Sequence, residues 1–139
     1  LNGLEFNEIE YITVGGKEIF LSFEKEGKLY ALLRLRLPYK HEKVLFGELR
    51  GAAIVREVHS YGQAIGFAAQ VPNLKTTGSE PVREYQHRGL GKQLMGEAEK
   101  RARIKGYKKM AVISAIGTRE YYRKLGYRQA GLYMIKDLR

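Results

Sequence analysis

The chain has 139 residues, 44% of them hydrophobic and 29% charged, which fits one globular domain with a real core and excludes a disordered polar chain. Its 25 Lys and Arg outnumber 15 Asp and Glu for a net charge of +10, so its summed field favours anionic partners such as nucleotides or RNA. The absence of cysteine excludes disulfides and thiolate metal sites within the chain, and no run is apolar and long enough to cross a bilayer.

The first third reads as a β-meander. Glu8 to Val14 alternates around Ile9, Tyr11 and Ile12 and ends at Gly15-Gly16, a tight-turn signal. Glu18 to Lys25 places Ile19, Leu21 and Phe23 on one face, and Glu26-Gly27 makes the next turn. From Leu29 to Leu37 the odd positions Leu29, Ala31, Leu33, Leu35 and Leu37 share a face, with Tyr30, Leu32, Arg34 and Arg36 opposite. Pro38 stops this ladder. Tyr39 to Gly51 is mixed and basic, a loop or short helical turn. Ala52 to Ser60 is a fourth strand, apolar at Ala52, Ile54, Val55 and Val58. From Tyr61 to Tyr85 the pattern fades among Gly62, Gly66, Pro72, Asn73, Gly78 and Pro81, and irregular segments of that length are usually functional or mobile.

A helix is predicted from about Gly89 to Lys105, because Leu90, Leu94, Met95, Ala98 and Ala102 form one apolar stripe and Gly106 suits the position after its end. The apolar run Met110 to Ala115 suits a central strand. A short helix follows, with Thr118 as N-cap and Tyr121, Tyr122 and Leu125 inside it, ending at Gly126. Two last strands, about Tyr127 to Ala130 and Leu132 to Lys136, complete the sheet. There is no internal repeat and no sign of a second domain. The expected fold is α/β: a mixed sheet of six to seven strands with helices on its faces.

Gln86-His87-Arg88-Gly89-Leu90-Gly91 opens the long helix directly. A Gln-x-x-Gly-x-Gly loop presents unpaired backbone N–H groups at the positive end of a helix dipole, which makes a seat for a phosphate or diphosphate. Lys92 is not spaced as in a P-loop, and the glycines do not follow the dinucleotide fingerprint. The bland alternative is an ordinary glycine-rich helix start. His41, His59 and His87 show no metal-ligand spacing, so no metal site is expected.

The diphosphate loop, a strand on either side of its helix, and the later Tyr122-Arg123-Lys124-Leu125-Gly126-Tyr127 resemble the GCN5-related N-acetyltransferase family. That family carries Gln/Arg-x-x-Gly-x-Gly/Ala and a late Tyr-x-x-Leu-Gly-Phe. A narrower resemblance is to the acetyltransferase domains of the Elongator catalytic-subunit family, carried by Leu32-Leu33-Arg34-Leu35-Arg36-Leu37-Pro38, Val55-Arg56-Glu57-Val58-His59-Ser60-Tyr61-Gly62 and Arg119-Glu120-Tyr121-Tyr122. Ala130-Gly131-Leu132-Tyr133 departs from that family's Asp-Gly-Pro-Tyr, and the segment from Gly62 to Tyr85 is unlike its counterpart.

The resemblance implies a splayed pair of parallel strands and acetyl-CoA as substrate. Its diphosphate would sit on Gln86, His87, Arg88, Gly89, Leu90, Gly91 and Lys92. Its pantetheine arm would pair with Glu57, Val58, His59 and Ser60, with an N–H near Val58 on the thioester carbonyl. Tyr122 matches the tyrosine that faces the sulfur, and Tyr121, Glu57 and His59 are the further catalytic candidates. Tyr121, about 100° around the helix from Tyr122, is expected to be packed or on the acceptor side. The implied role is a cytoplasmic, tRNA-binding domain for 5-carboxymethyluridine synthesis at the wobble position. It would be the C-terminal part of a protein whose radical-SAM domain, with its iron–sulfur cluster and S-adenosylmethionine, is elsewhere, working with the rest of its polypeptide or Elongator-like subunits. A free-standing lysine or small-amine N-acetyltransferase and an inactive CoA- or RNA-binding module are the competing readings.

Overall fold

Alternating apolar residues set the register of the central strands. The computed structural model describes residues 3–41, 46–66, 89–114 and 116–139, the side chains of 62–66 and 116 excepted. One seven-stranded sheet contains β1 (Glu5–Thr13), β2 (Gly16–Lys25), β3 (Lys28–Pro38), β4 (Ala52–Gly66), β5 (Lys109–Ile113), β6 (Arg128–Ala130) and β7 (Tyr133–Asp137). Its order is β1-β2-β3-β4-β5-β7-β6, and only β4 and β5 run parallel. The helix α1 (Leu90–Ile104) crosses between those two, and α2 (Arg119–Lys124) follows β5.

The odd residues of β3 are all buried, together with Ile19 and Leu21 of β2. They meet the α1 stripe of Leu90, Leu94, Met95, Ala98 and Ala102, all almost fully buried, in one cluster that Tyr122 of α2 also joins. The opposite face carries a smaller cluster of Leu49, Ala52, Ala111, Tyr133 and Ile135, to which a 3-10 turn at Gly47–Leu49 contributes Leu49.

Four local expectations change. Thr13 already pairs with Gly16, so the first turn is Val14-Gly15, one residue earlier than read. Ile9 and Ile12 of β1 are exposed, at 59% and 76%, because β1 is an edge strand that its alternation alone does not bury. β1 is instead tied to α1 by charge: Arg101 grips Glu8 at 2.8 Å and 2.9 Å, and Lys105 reaches Glu10 at 3.3 Å. β4 continues to Gly66 rather than stopping at Ser60, and β5 ends at Ile113 rather than at Ala115, which lies outside the described residues.

On the sheet face away from α1, Glu18 is buried at 4% exposure. It accepts hydrogen bonds from the Tyr11 hydroxyl at 2.8 Å and from Arg56 at 3.1 Å, with Arg36 at 3.9 Å. Burial pulls its carboxyl upward, but the Tyr11 and Arg56 hydrogen bonds outweigh it and hold the group below its ordinary value. A depressed folded-state value means the carboxylate stabilises the fold above its unfolded-state value and loses that contribution as pH falls through the folded one. Urea unfolding at pH 7 and pH 3 should therefore show a smaller acid loss for Glu18→Gln than for wild type; equal losses would mean that Glu18 is not an acid-sensitive contact.

Candidate functional site

β4 and β5 pair only from Ala52↔Lys109 to Val55↔Val112. Immediately beyond, β4 carries a bulge: Val55 faces Leu35 and Glu57 faces Arg34, which leaves Arg56 as the extra residue. A bulge bends its strand and sharpens the local twist. β4 stays paired to β3 while β5 stops, so a gap opens at the carboxyl ends of two parallel strands, the position where open α/β sheets hold ligands. The gap is a cleft of about 340 Å³ lined by Val55 to His59, Val112, Ile113 and Tyr122. Ile113 is 65% exposed there, an apolar wall with nothing over it among the described residues.

Bulging also decides which side chains face which way. Arg56 turns to Glu18, and Glu57 sits 3.5 Å from Arg34 on the same charged face. His59 follows Glu57 with its Nε2 3.5 Å from the carboxylate, so these two share a face, while Val58 packs against the α1-side core. Arg34 and His59 thus flank the Glu57 carboxylate. Ser60 is exposed and opposite Ala31.

Tyr122 is placed by the way its helix ends. Gly126 has φ +96°, a conformation that costs a side-chain-bearing residue about 1–2 kcal/mol. That geometry lets the Tyr127 N–H reach the Tyr122 carbonyl and the Gly126 N–H reach the Arg123 carbonyl, both at 3.0 Å. Together they form a Schellman cap, whose outer residue packs back onto the last helical turn. Tyr127 does so, its ring centroid 5.9 Å from that of Tyr122. The Tyr-x-x-Leu-Gly-Tyr run is therefore a capping device that holds Tyr122 against the cleft. Burial, with the neighbouring Tyr121 phenol, keeps the Tyr122 phenol above its ordinary range, so it is protonated at neutral pH and able to donate.

A triad of buried Tyr127 and Glu99 with half-buried Lys136 locks the cap from behind. Tyr127 donates to Glu99 of α1 at 2.7 Å, Glu99 pairs with Lys136 of β7 at 3.0 Å, and Lys136 donates to the Leu125 carbonyl at 3.0 Å. Burial, followed by the Glu99 carboxylate, drives the Tyr127 phenol far above its usual range. Sequence periodicity passed over Glu99, which lies beside the apolar stripe of α1. Tyr127→Phe should cost about 1–2 kcal/mol in denaturant unfolding by stranding a buried acceptor. A change within about 0.5 kcal/mol, ordinary for a surface site, would show that the triad does not hold the cap.

Tyr121 is half-exposed, its ring edge-on to Tyr122 with centroids 5.1 Å apart. Its hydroxyl lies 3.4 Å from the point a Cβ on Gly91 would occupy. It therefore reaches over the first turn of α1. That turn starts at Gly89, in the left-handed region at φ +83°. The first intrahelical bond runs from Gln93 N–H to the Gly89 carbonyl at 2.9 Å, so the N–H groups of Leu90, Gly91 and Lys92 have no intrahelical acceptor. Gln86, His87 and Arg88 lie outside the described residues, as does all of the irregular segment after Gly66. Among the described residues no group of three or more His, Asp or Glu is gathered to hold a metal ion, and no helix is long and apolar enough to cross a membrane.

The family model described as an acetyltransferase (GNAT) domain matches residues 59–137. The chain belongs to the GNAT acetyltransferase family. It is 44% identical over 134 residues to a tRNA uridine(34) acetyltransferase of Dehalococcoides mccartyi, covering 94% of this chain and 27% of that protein. It is 43% identical over 133 residues to human Elongator complex protein 3, covering 94% and 22%. The solved structure of an N-terminally truncated archaeal Elp3 from Methanocaldococcus infernus superposes with a TM-score of 0.75 at 40% identity, over 98% of this chain and 30% of that one. This GNAT domain therefore spans about a quarter of the length of the curated relatives it matches. A putative GNAT acetyltransferase from Desulfovibrio desulfuricans, 13% identical with a TM-score of 0.56, shares the fold.

Proposed function

We propose that this chain is the acetyl-CoA-binding acetyltransferase domain of an Elongator-type enzyme that modifies the wobble uridine of tRNA. The observation that carries the reading is relatedness above 40% over nearly the whole chain to proteins named tRNA uridine(34) acetyltransferase and Elongator complex protein 3. The cleft at the β4–β5 splay supplies the matching chemistry.

In this reading the N–H groups of Leu90, Gly91 and Lys92 hold the diphosphate at the α1 dipole, and the Lys92 ammonium adds charge. The loop residues Gln86, His87 and Arg88 continue that seat. Tyr121, poised over Gly91, donates to a phosphate oxygen. The backbone of Glu57, Val58, His59 and Ser60 receives the amide-bearing arm as an added strand in the gap beside β5, with Ile113 covered by it. A β4 N–H near Val58 polarises the thioester carbonyl, the kind of donor whose loss typically costs about 3–4 kcal/mol of barrier. Tyr122, protonated and next to the gap, stabilises and protonates the leaving thiolate. Glu57, held between Arg34 and His59, orients polar groups at the acceptor side. The chain has no cysteine to ligate an iron–sulfur cluster, so cluster chemistry belongs to a different part of the enzyme.

The test is to titrate acetyl-CoA into the chain by calorimetry and to follow free thiol release with and without tRNA in the full-length protein. The reading expects one-to-one binding to the chain and thiol release that rises with tRNA. Efficient acetylation of a lysine peptide by the isolated chain, with thiol release indifferent to tRNA, would replace it with a protein acetyltransferase. Binding without thiol release under any of these conditions would leave only a CoA-binding module.

A further inference from the structure

The parallel strands have a second opening, at the end opposite the cleft. Where β3 leaves the sheet and β4 and β5 enter it, a cavity of about 610 Å³ lies among Pro38 to His41, Leu49 to Ala52 and Gly106 to Lys108. Among the described residues its lining includes no carboxylate. Lys40, His41, Arg50 and Lys108 are exposed around it. Tyr39 and His41 lie nearly parallel there, ring centroids 5.7 Å apart at 12°, and Tyr107 is fixed by donating its hydroxyl hydrogen bond to the Pro38 carbonyl. Leu49 and Ala52 supply a buried apolar base.

Cations alone would make a solvated face. Here three of them surround flat rings and an apolar base, which is the pairing that recognises a nucleotide: phosphate on the cations, base on the ring faces. The cavity touches the amino ends of β4 and β5, whereas the cleft touches their carboxyl ends, so a ligand in one leaves the other free.

We propose that this basic, aromatic cavity binds a single-stranded RNA segment, giving the chain a nucleic-acid contact separate from its acyl-transfer cleft. The inference deepens the proposed tRNA partner and rests on that reading for the choice of RNA as the polyanion. Lys40, Arg50 and Lys108 neutralise successive phosphates, and a base extends the Tyr39–His41 stack.

The probe is a fluorescein-labelled single-stranded RNA of about 12 nucleotides, within the range one small domain covers, read by anisotropy across a salt series. The Lys40→Ala/Arg50→Ala/Lys108→Ala variant should lower the slope of log affinity against log salt by about 2, as expected for three lost phosphate contacts on a single strand. His41→Ala, at an exposed position, should weaken binding about 5- to 100-fold by loss of one stacking surface. Both variants should keep wild-type acetyl-CoA affinity, which separates this result from any failure of the acetyltransferase reading. An unchanged slope in the triple variant overturns the proposal. Uridine monophosphate binding as tightly as the oligonucleotide would make the cavity a free-nucleotide site, and a poly-glutamate peptide doing so would make it a plain acidic-chain site; either overturns the RNA assignment.

Discussion

Gly89→Glu is expected to abolish measurable acetyl-CoA binding. Gly89 is exposed at the start of α1, and among the described residues, its chain neighbours aside, no heavy atom lies within 4 Å of the position its Cβ would take, so a carboxylate fits there without disturbing the core. It would place a negative charge where the N–H groups of Leu90, Gly91 and Lys92 await one, and it would repel a diphosphate. Losing two charge-assisted hydrogen bonds at about 1.5–3 kcal/mol each weakens binding by roughly 100-fold or more. The left-handed backbone at φ +83° imposes a second cost on any side chain. Gly89→Asn separates the two, because asparagine tolerates that conformation and carries no charge. Calorimetry should find the asparagine variant within about tenfold of wild type, a loss below 1.4 kcal/mol. Equal weakening in both variants would mean that backbone strain, not charge at the seat, explains the loss.

Tyr122→Phe should have the second-largest effect, and on rate rather than on binding. Its ring is buried in the core beside Tyr127, and its hydroxyl makes no hydrogen bond among the described residues. Phenylalanine keeps the packing, so stability should change by less than about 0.5 kcal/mol. Thiol release from acetyl-CoA should fall by about 100-fold, the low end for losing a positioned acid, with the dissociation constant little changed. Because burial raises the phenol, wild-type activity should not fall through Tyr122 ionisation as pH rises towards 10.0. A variant with wild-type turnover would remove the hydroxyl from the mechanism and leave Tyr122 as a packing residue.

Much of this site was legible before the structure, for physical reasons specific to each element. The α1 stripe and the odd face of β3 are long and strictly periodic, and their burial follows the period. The tyrosine run ending in glycine carries its own capping geometry, so its sequence and its fold are the same statement. The bulge at Arg56 left no trace, because one extra residue in an apolar–polar alternation looks like a change of face. Burial of β1 could not be read either: alternation shows which residues share a face, not whether anything covers that face. Glu99 and Glu18 are buried acids whose partners, Tyr127, Lys136, Tyr11 and Arg56, are distant in sequence. The approach of the Tyr121 hydroxyl to Gly91 depends on the angle at which α2 meets the first turn of α1, which no local pattern encodes.

In the proposed site one line of ligand contacts runs from the Leu90, Gly91 and Lys92 N–H groups of α1 to Tyr122 and the β4–β5 splay at the middle of the sheet. A crystal structure of the chain with coenzyme A tests that line most directly. The diphosphate oxygens should lie within hydrogen-bonding reach of the Leu90, Gly91 and Lys92 N–H groups, with the sulfur beside the Tyr122 hydroxyl and the arm against Glu57 to Ser60. A diphosphate bound elsewhere, or a sulfur remote from Tyr122, would contradict the account.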